Sequence, residues 1–431
     1  MKLILKNIGL LKHAEVTLHK LCVIAGENDN GKSTIGKIVF CIVKAINRYK
    51  EDLQESKEFQ INEKTDEIFF LLRDGLRPTS PEVMDILRGV RNSSRQRMNT
   101  AEQLDALDES IQLVFDKVEF EPEGKQSILN VRAEIQAILD QPENVNQSIE
   151  NAFNKVFASE FDASLLLYGA TEGSIQLVEN ETSLIHLNVK RDGVRLIGEV
   201  EPIALKEATF IDSPLILNNH DLLARSQTLL DIDQRRSGRL GLPYTTLHTK
   251  DLFDKLRVPV LPHYLSSQDK NVLFYDIKTI IEGEITYDHS ERDFIFQRQG
   301  ESISIKNTAS GIKVFGLLQI LIANDFVDKN TVLIFDEPEN HLHPNWQLKL
   351  AKLLLALVEK GVYVLVSSHS PYLIEALKRG VDHMGMTKQA LFTLAQGGSI
   401  TDEDKLSEIF EVLAEPFEEF RKMDAEDLRD E

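Results

Sequence analysis

The feature that most constrains the fold of this chain is a glycine-rich segment placed directly after a short apolar run. The apolar run covers residues 21–25, and the glycine-rich segment covers residues 26–34. The segment matches the pattern G-x-x-x-x-G-K-[ST] at all four defining positions, which are Gly26, Gly31, Lys32 and Ser33. We therefore predict a buried strand, a tight loop and a helix over residues 33–46, the strand–loop–helix arrangement of a phosphate-binding P-loop.

Each position of this loop has a chemical reason at a phosphate group. Glycines let the backbone turn tightly and approach phosphate oxygens, and consecutive N–H groups at a helix start form an anion site. Lys32 supplies a positive charge for the β- and γ-phosphates, and the Ser33 hydroxyl is a ligand for Mg²⁺. The loop residues that we assign to nucleotide binding are Gly26, Asn28, Asn30, Gly31, Lys32, Ser33 and Thr34. The motif alone does not separate kinases, GTPases and ATPases.

A second apolar run, residues 331–335, ends in the adjacent carboxylates Asp336 and Glu337. A strand this uniformly apolar is typical of the centre of a parallel sheet that is covered on both faces. Ligands bind at the carboxyl ends of such strands. We predict that Asp336 holds Mg²⁺ and that Glu337 is the general base that polarises the attacking water. An ordinary surface acidic pair is the alternative, and the matching glycine loop disfavours it.

Two further motifs accompany the acidic pair. His369 follows another apolar strand, and its spacing behind Asp336 favours a catalytic contact with the γ-phosphate over a cap on the helix that starts at Pro371. Ser310 and Gly311 open a segment with apolar residues at helical spacing. Because the start of a helix is an anion site, we assign Ser310 and Gly311 to nucleotide binding as well.

The order of these motifs resembles that of the ABC-type ATPases of the SMC/RecF/OLD branch: glycine loop, long insertion, signature serine, Asp-Glu strand and histidine strand. Residues 336–344 and 367–371 are especially similar to the OLD and RecF-like form. The resemblance covers residues 1–45 and 269–376. It implies an α/β fold, in which an ABC-type P-loop ATPase head with a mixed sheet and flanking helices carries a helical insertion.

The resemblance also implies an assembly and its cofactors. In that family two ATPase heads enclose ATP and Mg²⁺, and the glycine loop of one head faces the signature serine of the other. Carried over, Ser310 would contact the γ-phosphate bound at Lys32 of a second copy, in a homodimer or higher homo-oligomer joined through ATP. Asn340 and His341 would lie along the seam. The chain departs from the family at Ile312, where a second glycine usually stands, and the bulkier side chain would reshape that contact.

Local composition divides the chain into five segments. Residues 51–157 are rich in helix-forming residues, whereas residues 174–200 alternate apolar and polar side chains, as β-strands do. We predict the glycine-loop part of the first ATPase lobe at 1–50, a helical arm or cap at 51–165, a small antiparallel sheet and the return to the first lobe at 166–268, the second lobe with the other motifs at 269–400, and an acidic helix or tail at 401–431.

Composition and charge disfavour some classes of function and some cellular locations. The net charge of −20 opposes nucleic-acid binding over the whole surface but not in a local groove. Cys22 and Cys41 lie in apolar contexts and read as buried thiols, which favours a reducing, cytoplasmic location. No segment reaches the roughly 18 apolar residues of a membrane span. Two basic clusters could contact a phosphate backbone or an acidic partner, or could equally be solvated: Arg88, Arg91, Arg95 and Arg97, and Arg235, Arg236 and Arg239.

The tail at residues 401–431 holds thirteen acidic and four basic residues, with apolar residues at helical spacing. It is consistent with a packed terminal helix or with a helix that docks a partner. Behind His369 we expect no room for the TOPRIM nuclease domain of OLD proteins, so nucleic-acid cleavage would need a separate protein.

We therefore expect an enzyme that converts ATP and water to ADP and phosphate, dimerises around ATP, and acts as a switch or scaffold for a separate effector, a nuclease or toxin, in bacterial anti-phage defence. The resemblance implies this role, because similar stand-alone ATPases accompany nucleases or toxins in such systems. The alternative is a RecF/SMC-like DNA-binding ATPase of DNA repair, which the basic clusters favour and the net charge weakens. DNA binding with a steep salt dependence would separate the two. A small-molecule P-loop kinase is disfavoured, because Ser310, Gly311 and His369 would have no role in it.

Overall fold

The computed structural model describes residues 1–74, 100–117, 120–140, 145–162, 165–226, 228, 244–258 and 268–430. The chain divides into two units, a larger one of Met1–Asn47 with Ile149–Glu431 and a smaller one of Arg48–Ser148. Both predicted arginine clusters, at residues 88–97 and 235–239, lie outside the described residues. The five segment boundaries given above stay a prediction.

Within the described residues, the larger unit contains an eleven-stranded sheet of order β6-β5-β4-β1-β2-β14-β13-β3-β12-β11-β7 and a three-stranded sheet of order β10-β9-β8. The strands are β1 (Lys2–Ile8), β2 (Leu11–Thr17), β3 (Leu21–Ala25), β4 (Glu172–Glu179), β5 (Thr182–Lys190), β6 (Gly193–Leu196), β7 (Glu207–Ile211), β8 (Glu284–Asp288), β9 (Asp293–Arg298), β10 (Glu301–Ser304), β11 (Thr331–Asp336), β12 (Tyr363–Ser368), β13 (Ala390–Gln396) and β14 (Ser399–Ile400).

The strands β13, β3, β12, β11 and β7 run parallel to one another. Every residue of β3 is buried, and so are the first five residues of β11, as their uniform apolarity predicts. The register pairs Ala25 with Ser368, Ser367 with Asp336, and Phe335 with Ile211. Consequently the glycine loop, the histidine turn and the acidic pair follow adjacent strands at one carboxyl edge of the sheet.

The other half of the large sheet is mostly antiparallel. β1 pairs with β2 and with β4, and β5 joins β4 to β6. The sequence predicted a small antiparallel sheet here; the strands are antiparallel, but they continue the main sheet, because β1 offers its second edge to β4. The predicted α/β class, with a large mixed sheet and flanking helices, is confirmed.

In the part of the chain that the structure describes, the helices are α1 (Lys32–Asp74), α2 (Thr100–Lys117), α3 (Pro122–Asp140), α4 (Val145–Phe161), α5 (His220–Leu223), α6 (Leu247–Leu256), α7 (Gln268–Ile281), α8 (Ser310–Ala323), α9 (Pro344–Glu359), α10 (Pro371–His383) and α11 (Leu406–Asp430). α1 is much longer than the predicted 33–46, because no glycine or proline interrupts residues 37–74. Its glycine at position 36 lets it approach the sheet, since a Cβ there would lie 2.7 Å from Cγ2 of Ile334 and 2.9 Å from Cε2 of Phe210.

The smaller unit has its own core, formed by the second part of α1 with α2 and α3. Ile68, Leu72, Val114, Ile128 and Ile135 are completely buried there. A two-pronged ion pair links α2 and α3, in which the Arg132 guanidinium donates to both carboxylate oxygens of Asp108 at 2.5 and 2.7 Å. No helix within the described residues has the length and apolarity to cross a membrane.

The main core of the larger unit lies between the sheet and the helices α8, α9 and α10. Every residue of α8 from Lys313 to Ala323 is buried. The first turns of α11 pack on this core through Ile409 and its neighbours, while the described side chains from Ala414 onward are exposed. Cys22 and Cys41 are buried free thiols, as predicted, and burial raises the pKa of Cys22 to about 12.

Candidate functional site

The two glycines of the loop are required by both backbone conformation and space. Gly26 has φ 141° and Gly31 has φ 82°, values that residues with a side chain rarely adopt. A Cβ at Gly26 would lie 2.4 Å from the carbonyl oxygen of Ala395, and one at Gly31 would lie 2.6 Å from Cδ2 of Leu11. The loop is therefore held in shape by its neighbours as well as by its own sequence.

Lys32 lies inside the loop and is only 4% exposed. Its ammonium donates to the carbonyl oxygens of Gly26 at 2.9 Å and Glu27 at 2.7 Å. It also lies 3.6 Å from Oε1 of Glu337. The positive charge thus sits between the glycine loop and the acidic pair, where the sequence predicts the terminal phosphates.

Among the other loop residues assigned to nucleotide binding, Asn30 and Thr34 contact residues outside the loop. Asn30 accepts a hydrogen bond from the Gly397 backbone N–H at 2.9 Å, so it braces the loop against the turn after β13. Thr34 packs on Gly9, where a Cβ would lie 2.9 Å from Cγ2 of Thr34. The Asn28 side chain is exposed and has no hydrogen-bond partner in the described part of the chain. Nucleotide contacts by these three residues stay predictions.

The structure brings together the two predicted Mg²⁺ ligands, which are 303 residues apart in the chain. The Ser33 hydroxyl donates to Oδ1 of Asp336 at 2.9 Å, and the Ser367 hydroxyl donates to the same oxygen. Magnesium in nucleotide sites takes one or two protein oxygens together with phosphate oxygens and waters. A hydroxyl and a carboxylate in contact fit that requirement without a larger cluster of acidic or histidine ligands.

Glu337 is held in an unusual backbone conformation, with φ 49° and ψ 53°. Its N–H donates to the Ser367 carbonyl at 3.0 Å, and its side chain accepts from the Asn340 amide at 3.0 Å. Burial works to raise the pKa of Glu337, but the Asn340 hydrogen bond and the charges of Lys32 and His369 outweigh it and lower the pKa. The carboxylate is therefore ionised at neutral pH, as a general base must be.

His369 faces the acidic pair. The turn that carries His369 is held by the carboxylate of Glu339, a residue to which no sequence motif assigned a role. The imidazole Nδ1 lies 3.5 Å from Oε1 of Glu337 and 3.6 Å from Oε1 of Glu339. Glu339 is buried and accepts from the Ser368 hydroxyl at 2.6 Å and from the His369 N–H at 2.7 Å. Its position after Asp-Glu-Pro gave no independent sign of this role, because a turn residue is normally exposed.

The signature helix α8 stands apart from the loop in its contacts. Among the described residues, no hydrogen bond or ion pair joins Ser310 or Gly311 to the glycine loop. Gly311 has a packing reason of its own, since a Cβ there would lie 3.0 Å from the Trp346 ring. Ile312, which replaces the family's glycine, packs against the main core. Contact of Ser310 with a nucleotide therefore stays a prediction about a second copy of the chain.

A cavity beside the loop is bordered by the C-terminal helix. It measures about 750 Å³, and its lining includes Gly26, Asn28 and His369 on one side and Glu415 and Glu419 of α11 on the other. The acidic tail therefore lies next to the glycine loop, which the sequence did not indicate because nearly 400 residues separate the two.

Near the same edge lies a chain of four charged side chains, which we call the buried relay: Lys37, Glu160, His248 and Asp212. Lys37 Nζ lies 3.5 Å from Oε1 of Glu160, which lies 2.6 Å from Nδ1 of His248, and Nε2 of His248 lies 3.2 Å from Oδ2 of Asp212. Glu160 and His248 are buried. No motif pointed to these residues, because they come from four separate elements.

His248 of the buried relay carries a positive charge at neutral pH. Burial works to lower the pKa of His248, but its hydrogen bonds with Asp212 and Glu160 outweigh burial and raise the pKa to about 9. The same contact with His248 outweighs the burial of Asp212 and lowers the pKa of that carboxyl. With His248 protonated, two positive and two negative groups balance, which is how buried charges are tolerated.

The charge on His248 predicts how stability depends on pH. Its pKa is about 9 in the folded chain against an ordinary 6.5, so the stabilisation is complete below pH 6.5 and is lost as the pH rises to 9. Over this window the free energy of unfolding should fall by about 3 kcal/mol more than it does for His248→Gln, which cannot protonate. Chemical denaturation of both proteins across the window measures the difference, and equal slopes would contradict the assigned charge.

Comparison with known proteins adds a family match for part of the chain. Residues 248–374 match the family described as AAA ATPase domain. This stretch contains Ser310, the acidic pair and His369, covers less than half of the chain, and does not include the glycine loop. No curated protein matches the chain.

Among solved structures the chain is similar to SMC head domains. The head domain from Thermotoga maritima is 13% identical with a TM-score of 0.35, over 93% of this chain and 96% of that one. An Smc head bound to the C-winged helix domain of ScpA is 12% identical with a TM-score of 0.36, over 93% and 95%. An Smc head with an extended coiled coil, bound to the C-terminal domain of ScpA derived from Pyrococcus furiosus, is 13% identical with a TM-score of 0.34, over 93% and 94%.

Proposed function

We propose that this chain is an ABC-type ATPase that binds ATP with Mg²⁺ and hydrolyses it to ADP and phosphate. The observation that carries the proposal is the closure of the glycine loop on the acidic pair. Ser33 contacts Asp336 at 2.9 Å, and Lys32 lies 3.6 Å from Glu337. The match of residues 248–374 to an ATPase domain supports it independently of the loop.

In the proposed hydrolysis, the side chains of the glycine loop, the acidic pair and His369 have separate roles. The N–H groups of the loop and the Lys32 ammonium bind the β- and γ-phosphates. Ser33 and Asp336 hold Mg²⁺, which neutralises charge on the phosphates when it is bound. Glu337 accepts a proton from the attacking water, whose oxygen bonds to the γ-phosphorus while the bond to the bridging oxygen breaks and ADP leaves. His369, beside Glu337, contacts the γ-phosphate.

A second copy of the chain completes the site in this proposal. α8 begins at Ser310, and no side chain caps its first N–H groups. Such a start binds anions. In a symmetric dimer each Ser310 would meet the γ-phosphate held by Lys32 of the other copy, so ATP would form part of the interface and would favour the dimer by mass action.

Mixing two inactive variants tests this arrangement. Lys32→Ala lacks the phosphate cation, and Ser310→Arg blocks the helix start, so each alone should release little phosphate. In a symmetric dimer that exchanges subunits, mixed dimers contain one intact site, and an equal mixture should recover about a quarter of wild-type phosphate release. The control is each variant mixed with itself at the same total concentration. A mixture no more active than its components would rule out the shared site.

The role of hydrolysis in this proposal is to switch a separate effector, a nuclease or toxin, in bacterial anti-phage defence in the cytoplasm. The support is the exposed surface of α11, where acidic residues and Phe420 line the cavity beside the glycine loop. Co-purification from the native operon with and without ATP tests it. An ATP-dependent nuclease or toxin in the eluate would support the switch, and its absence under both conditions would count against it.

A further inference from the structure

Backbone pairing between β11 and β12 ends where two turns begin, the acidic turn at residues 337–341 and the histidine turn at residues 368–370. The last pair of the register is Asp336 with Ser367. The Glu337 N–H still donates to the Ser367 carbonyl at 3.0 Å. Beyond this point the backbones separate, so side chains have to hold the two turns together.

Glu339 of the acidic turn makes that connection through one carboxylate oxygen. Its Oε1 accepts from the Ser368 hydroxyl at 2.6 Å, from the His369 N–H at 2.7 Å and from the Ser370 N–H at 3.2 Å. The Glu339 side chain is only 3% exposed. Burying an ionised carboxylate is costly unless donors satisfy it, and hydrogen bonds to an ionised acceptor are stronger than those between neutral groups. The three donors therefore fix the histidine turn to a residue two positions after Glu337.

The position of the His369 imidazole depends on this contact with its backbone. Nδ1 lies 3.5 Å from Oε1 of Glu337 and 3.6 Å from Oε1 of Glu339, and both distances are longer than a hydrogen bond. In the described part of the chain, Nδ1 is buried and has no hydrogen-bond partner. The imidazole also lines the cavity beside the glycine loop. Its place between that cavity and Glu337 is therefore set by the backbone of the histidine turn.

A second contact holds the far end of the histidine turn and does not involve Glu339. The Ser370 hydroxyl donates to Oε1 of Gln347 in α9 at 2.6 Å, and the Gln347 amide donates to the Leu342 carbonyl at 3.1 Å. Gln347 is buried. This contact acts at the start of α10, so replacing Glu339 should loosen the turn at His369 without unfolding the segment.

We propose that Glu339 is a positioning residue of the ATPase and that it acts through His369. By binding the backbone of the histidine turn, Glu339 keeps the imidazole beside Glu337 and at the wall of the cavity next to the glycine loop. The inference rests on the proposed function, because it assigns Glu339 to that same site. It also gives a reason why this turn carboxylate is buried, whereas a turn carboxylate is normally solvated.

A purely structural role is the competing explanation, and Asp402 provides a matched control for it. Asp402 accepts from the Thr17 hydroxyl at 2.6 Å and from the Thr17 N–H at 2.7 Å, which are the same kinds of donor at the same distances as at Glu339. β14 is parallel to β2 and antiparallel to β13, which is parallel to β3. The end of β2 at Thr17 therefore lies at the edge of the sheet opposite to the glycine loop.

The experiment measures kcat and KM for ATP in the full chain, for wild type, Glu339→Ala, His369→Ala and the double variant. A misplacement of about 1 Å costs about a hundredfold in rate, so kcat of Glu339→Ala should fall by about that factor towards that of His369→Ala. KM should stay near that of wild type, because the glycine loop is unchanged. The double variant should be no slower than His369→Ala, since Glu339 has no effect once the imidazole is gone.

The remaining variants separate positioning from stability. Glu339→Gln keeps an acceptor oxygen for the histidine turn and should recover most of kcat. Asp402→Ala should lower the thermal midpoint, as Glu339→Ala does, and leave kcat unchanged. If Glu339→Ala does not fold, Glu339→Asp, whose carboxylate is one methylene shorter, takes its place alone and with His369→Ala.

The results that would overturn the proposal are distinguishable. If Glu339→Ala keeps the kcat of wild type and Asp402→Ala, Glu339 has only a structural role. If the losses of the two single variants multiply in the double variant, or if His369→Ala keeps the wild-type kcat, Glu339 does not act through His369. The ATPase proposal survives both results. If wild type itself releases no phosphate from ATP, the proposed function fails and the role of Glu339 fails with it.

Discussion

Replacing Lys32 by alanine should abolish ATP binding. The ammonium is buried between two loop carbonyls and Glu337, so a phosphate that enters the loop meets a positive charge already in place. Hydrogen bonds to charged groups contribute about 1.5–3 kcal/mol each. Losing two of them weakens binding by about 4 kcal/mol, which is roughly a thousandfold in Kd. Isothermal titration with ATP and Mg²⁺ measures the loss.

The control for Lys32→Ala is Lys6→Ala, which removes the same charge from an exposed position on β1. Lys6→Ala should bind ATP as wild type does, which separates the local effect of Lys32 from the change in net charge. Thermal melting of both variants without nucleotide checks that the fold is intact. A folded Lys32→Ala protein that binds ATP within about tenfold of wild type would show that the loop is not the phosphate site.

Replacing Glu337 by glutamine should separate binding from hydrolysis. The amide keeps the size of the side chain and can still contact Asn340, but it cannot accept a proton from water. General-base catalysis contributes about 10²- to 10⁴-fold, so phosphate release should fall by at least about a hundredfold while ATP affinity stays near that of wild type. Because ATP persists in the site, the ATP-bound dimer should accumulate, and light scattering with ATP measures its mass.

The control for Glu337→Gln is Glu27→Gln, an identical chemical change at an exposed residue of the glycine loop. It should leave the rate of phosphate release unchanged within a small factor. Hydrolysis by Glu337→Gln at the wild-type rate would remove Glu337 from the role of general base. Loss of ATP binding in the same variant would instead show that the carboxylate is needed to hold Lys32 in place.

The part of the site that could be predicted from the sequence is the part that lies on buried parallel strands. The uniform apolar runs of β3, β11 and β12 identify them as buried parallel strands. The carboxyl ends of such strands meet at one edge of the sheet. This is why Ser33 and Asp336 are in contact despite their separation in the chain. The arrangement needed no contact information, only the periodicity of the strands and the polar residues that follow them.

The residues that sequence reasoning missed are those whose partners come from distant, irregular segments. Glu160, Asp212 and His248 belong to no spaced motif, and each alone reads as an ordinary polar residue. The place of β7 beside β11 depends on pairing between distant segments, which only the fold supplies. Glu339 was overlooked because a turn carboxylate is normally solvated, whereas here it is buried under the histidine turn.

At Glu337 the proposed chemistry and the left-handed backbone conformation favour different residues. A residue with a side chain destabilises the folded chain by about 1 kcal/mol in this conformation, whereas glycine does not and asparagine is better tolerated than most. Both would suit the turn, and neither can take a proton from water. A homologue that no longer needs to hydrolyse ATP would therefore be stabilised by a substitution to glycine or asparagine at this position. We expect such homologues to keep the fold and the bound nucleotide without hydrolysing it.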